Sequence, residues 1–244
     1  MSAFWLKAQW PAPPRIRAGV SLRSGGVSSG RYASLNLGDH VGDRPAAVAE
    51  NRRRLASACG LTDGPNWLEQ VHGTTVVDLD GEWSGPADGA VTARKGVACA
   101  VMTADCLPVL FCDRAGRRVG AAHAGWRGLA QGVLGSAVAA MGSPPDELLA
   151  WFGPAIGPAA YEVGGEVRET FVSRDAGAAE AFEANARGRW QADLYALARL
   201  ELNRLGVHAI HGGDFCTQSD AERFFSHRRE APCGRMASLI WIEP

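Results

Sequence analysis

The sequence predicts a mixed α/β (α+β) fold in a single domain spanning residues 1–244, and three observations carry that expectation. Apolar runs of strand length come in clusters, with helical patterns interspersed mainly in the second half, so there is no strict strand–helix alternation. A chain of 244 residues that is 46% hydrophobic holds enough apolar surface for one large core. Globular chains of this size bury roughly 70–75% of the surface their unfolded forms expose, so no disulfide framework is required. No Gly-x-Gly-x-x-Gly follows a strand and no P-loop is present, which removes the Rossmann and P-loop nucleotide sites.

Each element has its own local warrant. Residues 19–42 are dense in Gly and Ser and read as surface turns. A helix fits residues 45–58, with Pro45 in its first turn and Gly60 just past its end. Residues 67–71 and 74–79 read as strands meeting at Gly73. The most apolar part of the chain follows, with buried strands expected at 97–102 and 107–112 and a turn, Thr103-Ala104-Asp105-Cys106, between them. Another strand covers 117–123, and a helix is expected over 126–141, stopped at Gly142. Residues 165–172 form a short helix. A better one at 191–205 places Leu194, Leu197, Ala198, Leu202 and Leu205 on one face and stops at Gly206. Strands are expected at 207–210 and 236–242.

Composition excludes several function classes. With 25 Lys+Arg against 26 Asp+Glu the net charge is −1, so nothing in the overall balance draws the chain to nucleic acid or anionic lipid. No stretch reaches the roughly 18 uninterrupted apolar residues of a membrane span. The best candidate, residues 148–160, is cut by Gly153, Pro154, Gly157 and Pro158. No secretory signal opens the sequence, and six cysteines are spread along it without a Cys-x-x-Cys pair. Reduced thiols in a cytoplasmic monomer are the expectation.

Three residues sit where a strand ends against small or turn-forming neighbours: His72, Cys106 and His123. Side chains at strand ends project into the crevice above a sheet, where sites tend to form. A His-Cys-His set suits Zn²⁺, which accepts imidazole nitrogen and thiolate sulfur and keeps a fourth position open for water or substrate. Asp105, beside the thiol, is a candidate to support the ligands. Spacing alone leaves a second reading open, a Cys106 nucleophile with His123 or His72 as its base. After His123, Gly125-Trp126-Arg127-Gly128 puts a cation at a helix start, against the macrodipole, which fits a phosphate bound nearby. Arg52-Arg53-Arg54 reads as a solvated helix face. Phe224-Phe225-Ser226-His227-Arg228-Arg229 reads as core aromatics with basic neighbours, or as a stacking wall for a nucleoside.

The same residues resemble the YfiH-like family, also described as the laccase-domain or multicopper polyphenol oxidase family and as purine nucleoside phosphorylases. The resemblance rests on Arg23-x-Gly-Gly-Val-Ser28, Tyr32-x-Ser-Leu-Asn36, Asn51-Arg52, Leu68-Glu-Gln-Val-His72-Gly, Thr103-Ala-Asp-Cys106-Leu-Pro and His123-Ala-Gly-Trp-Arg127-Gly. Asp214-x-Cys216-Thr217, Phe224-Phe-Ser and Gly234-Arg-Met-Ala-Ser-Leu-Ile continue it to the C-terminal side. It implies one domain of layered mixed sheets flanked by helices, with a zinc-type site whose ligands and catalytic groups map onto His72, Cys106 and His123. Phosphorolysis of adenosine, guanosine, inosine and methylthioadenosine, and deamination of adenosine, are the implied activities. Nucleoside and phosphate are then the partners, with Arg127, Arg23, Asn36 and Arg52 expected to bind substrate or phosphate. Bacterial relatives have also been linked to removal of wrongly built peptidoglycan precursors, which suits a Cys106-dependent hydrolase as the alternative. His227 stands where the family pattern has Tyr, and Pro232-Cys233 precedes Gly234-Arg235 where Thr is commoner. A multicopper centre needs many imidazoles, often in His-x-His pairs, and this chain has six His and no such pair. A single Cu²⁺ in place of zinc is chemically admissible.

Overall fold

The computed structural model describes residues 4–244. Two strands, β1 (Trp5–Lys7) and β2 (Ile16–Ser21), open the chain, and helix α1 spans Pro45–Cys59. Strands β3 (Val76–Asp78), β4 (Gly89–Thr92), β5 (Ala98–Thr103), β6 (Leu107–Asp113) and β7 (Val119–Ala124) follow. Helices α2 (Trp126–Gln131) and α3 (Val133–Met141) lead into β8 (Leu148–Phe152). Then come β9 (Glu162–Val163), α4 (Gly165–Val172), β10 (Phe182–Ala184), β11 (Trp190–Ala192), α5 (Leu194–Arg204), β12 (Ala209–Gly212), α6 (His227–Glu230) and β13 (Met236–Ile242).

The strands form three sheets. A four-stranded antiparallel sheet runs β1-β2-β13-β5, and a six-stranded mixed sheet runs β12-β8-β6-β7-β4-β3. A small antiparallel sheet is ordered β10-β11-β9. Side-chain alternation fixes the layers, because successive residues of a strand point to opposite faces. In β6, Leu110 and Cys112 join Val101, Met236 and Ile240 in a core between the two large sheets. Val109 and Phe111 turn the other way, onto Leu134, Met141 and Leu202 of α3 and α5. Ala98, Ala100 and Met102 of β5 pack outward with Leu239 and Trp241 against Leu55 of α1. The order is helix, sheet, sheet, helices, as the resemblance implied. All seven residues of β6 and all seven of β13 are buried, because both strands are covered on both faces.

Several expected elements are differently bounded. Residues 67–71 are not a strand, only Asn66 bridging to Cys99. The helix expected over 126–141 breaks at Gly132, whose φ of 102° only glycine adopts at little cost. Residues 190–192 pair as a strand before Asp193 caps α5 through Tyr195 N (2.9 Å) and Ala196 N (3.0 Å). The strand expected at 207–210 lies at β12, and the sequence pattern gives no sign of β1, β2, β4, β8, the small sheet or α6. All six cysteines are free thiols. Among the described residues no helix is long and apolar enough to cross a membrane.

Candidate metal centre

His123 is carried near the end of β7, Cys106 by the tight turn from β5 to β6, and His72 by the loop before β3. Their ligand atoms lie within 4.8 Å of one another. Cys106 Sγ is 3.7 Å from His72 Nε2, and the two imidazoles meet edge to face with centroids 4.7 Å apart. Two residues of this small region hold backbone conformations unusual for non-glycine residues, His72 at φ 61° and Asp105 at φ 91°. Such conformations persist where surrounding bonds fix them.

One buried carboxylate fixes the first. Asp88 Oδ2 accepts hydrogen bonds from Val71 N (3.1 Å) and Gly73 N (2.7 Å). Its Oδ1 accepts from His72 N (2.9 Å) and stands 2.8 Å from His123 Nδ1. The amides of residues 71–73 are therefore spent on Asp88 rather than on a neighbouring strand. With Nδ1 engaged, Nε2 of His123 is the atom left for a ligand, the carboxylate–histidine arrangement common behind bound metals. Asp105 serves differently from the role expected of it. Its carboxylate accepts from Thr217 Oγ1 (2.6 Å), Ser226 Oγ (3.1 Å) and Arg228 N (2.6 Å), so it ties the Cys106 turn to the C-terminal segments. Gly125 admits the ligands, since a Cβ there would sit 2.9 Å from His72 Cδ2 and 3.0 Å from Cys106 Sγ.

The electrostatics follow from these contacts. Burial pushes the Cys106 thiol up, but His123 and His72 beside it outweigh burial and bring it down to about 6. Burial pushes His123 down, yet the Cys106 sulfur and the Asp88 carboxylate hold it up at about 9. Asp88 itself stays below the usual carboxylate range despite burial, because His123 and the loop amides bond its charged form. Each shift favours the charged form of its group, a thiolate on Cys106 and an imidazolium on His123. A thiolate flanked by two imidazoles, with one side open, also meets the ligand chemistry of a catalytic zinc site.

The open side is a cavity of about 360 Å³. Gln70, Thr103, Ile156 and Tyr161 line it beside the ligands, and His40, His227, Arg228 and Arg235 stand around it. The other expected binding residues lie outside this cavity. Arg23 is engaged with Ala33 O, Ala221 O and Glu230 and stacks on Phe225. Arg52 lies 4.4 Å over the Trp67 ring and pairs with Asp39 at 3.2 Å. Asn36 is fully buried and bonds Gly38, Asp43 and Arg235 N. Arg127 stacks 4.6 Å over Trp126. Phe224 and Phe225 are fully buried in the inter-sheet core, so they form no stacking wall. Asp88 escaped the sequence reading; its one signal, an acidic residue between Ala87 and Gly89 just ahead of a short apolar run, is shared with many turns.

A layered α/β scaffold thus brings a thiol and two imidazoles together on one cavity, a set of side chains that could hold a metal ion. The chain belongs to the family described as multi-copper polyphenol oxidoreductase laccase, which its residues 17–243 match. Among the described residues a single group of three such ligands occurs, which accommodates one ion rather than a multicopper cluster. A Pseudomonas aeruginosa protein named purine nucleoside phosphorylase is 58% identical over 240 residues, covering 98% of each chain. The Escherichia coli purine nucleoside phosphorylase YfiH is 55% identical, covering 96% of this chain and 97% of its own. A crystal structure of a Neisseria meningitidis protein superposes with a TM-score of 0.93 at 52% identity, covering 98% of this chain and 99% of that one. YlmD from Geobacillus stearothermophilus gives 0.90 at 32% identity, covering 100% and 98%.

Proposed function

We propose that the protein is a metal-dependent purine nucleoside phosphorylase, acting on adenosine, guanosine, inosine and methylthioadenosine, with a second activity as an adenosine deaminase. The observation that carries this reading is the convergence of His72, Cys106 and His123 on one open cavity, braced by Asp88. Zinc is the ion whose ligand preferences the set fits best, with copper the alternative. When bound, the ion supplies a Lewis acid at the cavity wall. The names carried by the two bacterial relatives support the nucleoside assignment.

The chain's own residues prepare the reaction. Asp88 holds His123 and the His72 loop in register, so the ligand atoms need little rearrangement. Tyr161, buried and with its hydroxyl pushed up and hence protonated, offers a donor to a substrate oxygen or ring nitrogen. Gln70 is itself pinned, accepting from Met102 N (2.7 Å) and donating to Met102 O (2.9 Å), so it shapes the wall. In phosphorolysis, phosphate attacks the anomeric carbon, the bond from that carbon to the base nitrogen breaks, and the base leaves. Positioning phosphate and nucleoside together in a walled cavity supplies much of such a rate enhancement. The partners are small molecules, and the chain acts as a cytoplasmic monomer.

The test is metal analysis of purified protein, paired with base release from inosine and adenosine with and without phosphate. Roughly one ion per chain and phosphate-dependent release are expected, both lost in Cys106→Ala. Base release that survives Cys106→Ala would sink the proposal. A second reading rests on the low-lying Cys106 thiol beside His123, a metal-free cysteine hydrolase of peptidoglycan precursors. Chelation separates the two, since it stops the metal-dependent reaction and spares a thiolate mechanism.

A further inference from the structure

We propose that Arg228 and Arg235 form the seat of the inorganic phosphate co-substrate, a placement that rests on the phosphorolysis reading of the same cavity. Both line the cavity that opens on Cys106 and His123. Their backbones are pinned from below by buried polar side chains. Arg228 N donates to Asp105 Oδ2 at 2.6 Å, and Arg235 N donates to Asn36 Oδ1 at 2.9 Å. Their guanidinium groups are only partly spent. Arg228 Nη1 bonds Glu162 O (3.0 Å), and Arg235 Nη1 bonds Cys233 O (2.9 Å) and Gly234 O (3.2 Å). Among the described residues neither has a carboxylate partner, and Nε and Nη2 of both carry no hydrogen bond.

Neighbouring arginines differ. Arg229 is consumed by Thr217 O, Gln218 O, Phe224 O and Glu230, and Arg23 by the contacts given above. The single carboxylate on the cavity wall, Asp105, already accepts three hydrogen bonds. His40 and His227 stand on the same rim. A wall with two guanidinium forks in reserve and no unsatisfied carboxylate matches the planar, bidentate recognition of a phosphate dianion. Tyr161 lies beside this seat, its ring centroid 5.4 Å from the Arg228 guanidinium carbon, and the apolar lining at Met102 and Ile156 is left for the base and sugar. Asn36 then acts through Arg235, as a positioning residue.

Inorganic phosphate is the probe. Its dissociation constant for the metal-loaded protein is measured by calorimetry, alongside the KM for phosphate and for inosine, in wild type, Arg228→Met and Arg235→Met. Each substitution is expected to weaken phosphate by about tenfold or more, the effect of one charge-assisted hydrogen-bond pair, with the inosine KM unchanged within about twofold. Arg235 also bonds two carbonyls, so Arg235→Lys serves should the Met variant fail to fold. It keeps the charge but not the fork and is also expected to weaken phosphate. Phosphate binding and phosphate KM at wild-type values in Arg228→Met and in the folded Arg235 variant would overturn the seat, even with base release intact. Conversely, a wild type that releases no base yet binds phosphate, and loses it in these variants, keeps the seat and removes the phosphorolysis reading.

Discussion

Replacing Asp88 by Asn tests how the two imidazoles are held. The two side chains have nearly the same shape, but the carboxylate presents two acceptor oxygens and the amide only one. Asp88 Oδ1 serves His72 N and His123 Nδ1, while Oδ2 serves Val71 N and Gly73 N. Whichever way the amide sits, two hydrogen bonds are lost and two N–H donors face an NH₂ group in a site with no water-exposed surface at Asp88. Hydrogen bonds to charged groups contribute about 1.5–3 kcal/mol each, so the expected cost is about 3–6 kcal/mol. Against a total of about 5–15 kcal/mol the variant still folds, but closer to its limit. Loosening His72 and His123 should also weaken the metal by roughly 10- to 100-fold, the usual consequence of losing a carboxylate behind a ligand imidazole. Urea unfolding of the chelator-treated protein reads the first effect, and competition with a coloured chelator reads the second. An Asp88→Asn protein with the wild-type urea midpoint and metal affinity would refute the bracing role.

Other perturbations separate ligand geometry from bulk stability. Gly125→Ala adds a methyl against His72 and Cys106 at a φ of −62° that alanine tolerates. It should cost about 1–3 kcal/mol of stability by overpacking and depress base release far more than its unfolding midpoint suggests. Asp193→Ala removes the cap of α5, and Asp193 is not among the residues that line the cavity. An expected loss of about 1 kcal/mol, or roughly 2–4 °C in Tm, with unchanged base release would confirm that the helix cap acts on stability alone. In the chelator-treated protein the Cys106–His123 pair makes stability depend on pH in both directions. Cys106 is depressed on folding, so its contribution is present above the ordinary thiol range and lost as pH falls through about 6. His123 is raised, so its contribution is full below the ordinary imidazole value and lost as pH rises through about 9. Between about 6.5 and 9 these opposite slopes nearly cancel, so urea midpoints should stay nearly flat there, whereas Cys106→Ala removes the rising contribution and should leave midpoints that fall as pH rises.

Much of the site was legible because its ligands lie where apolar runs stop. Cys106 and His123 follow or close β-strands whose hydrophobicity is continuous, and their small neighbours mark turns that leave room for an ion. The segment before His72 has the apolar pattern of a strand, but the amides of residues 71–73 are taken by Asp88, which lies 16 positions after His72 in sequence. Local periodicity cannot register a side chain arriving from elsewhere. The same limit explains why Arg23, Asn36 and Arg52 were expected at the cavity. Polar residues in recognisable blocks also serve as internal girders, and Asn36 and Arg23 are bonded to parts of the fold distant in the chain. Gly132 broke a continuous apolar helix pattern because hydrophobic spacing persists through a backbone reversal that only the positive φ reveals.

The place of β13 has a consequence for biosynthesis. Residues 236–242 are not appended to an edge; they slot between β2 and β5, both of which leave the ribosome much earlier. Until that strand emerges, the first sheet has a gap at its centre, and Arg235 at its threshold has no place to stand. A chain that stops short of residue 236 therefore cannot finish the cavity, and it exposes β5 and the free edge of β2 to aggregation or proteolysis.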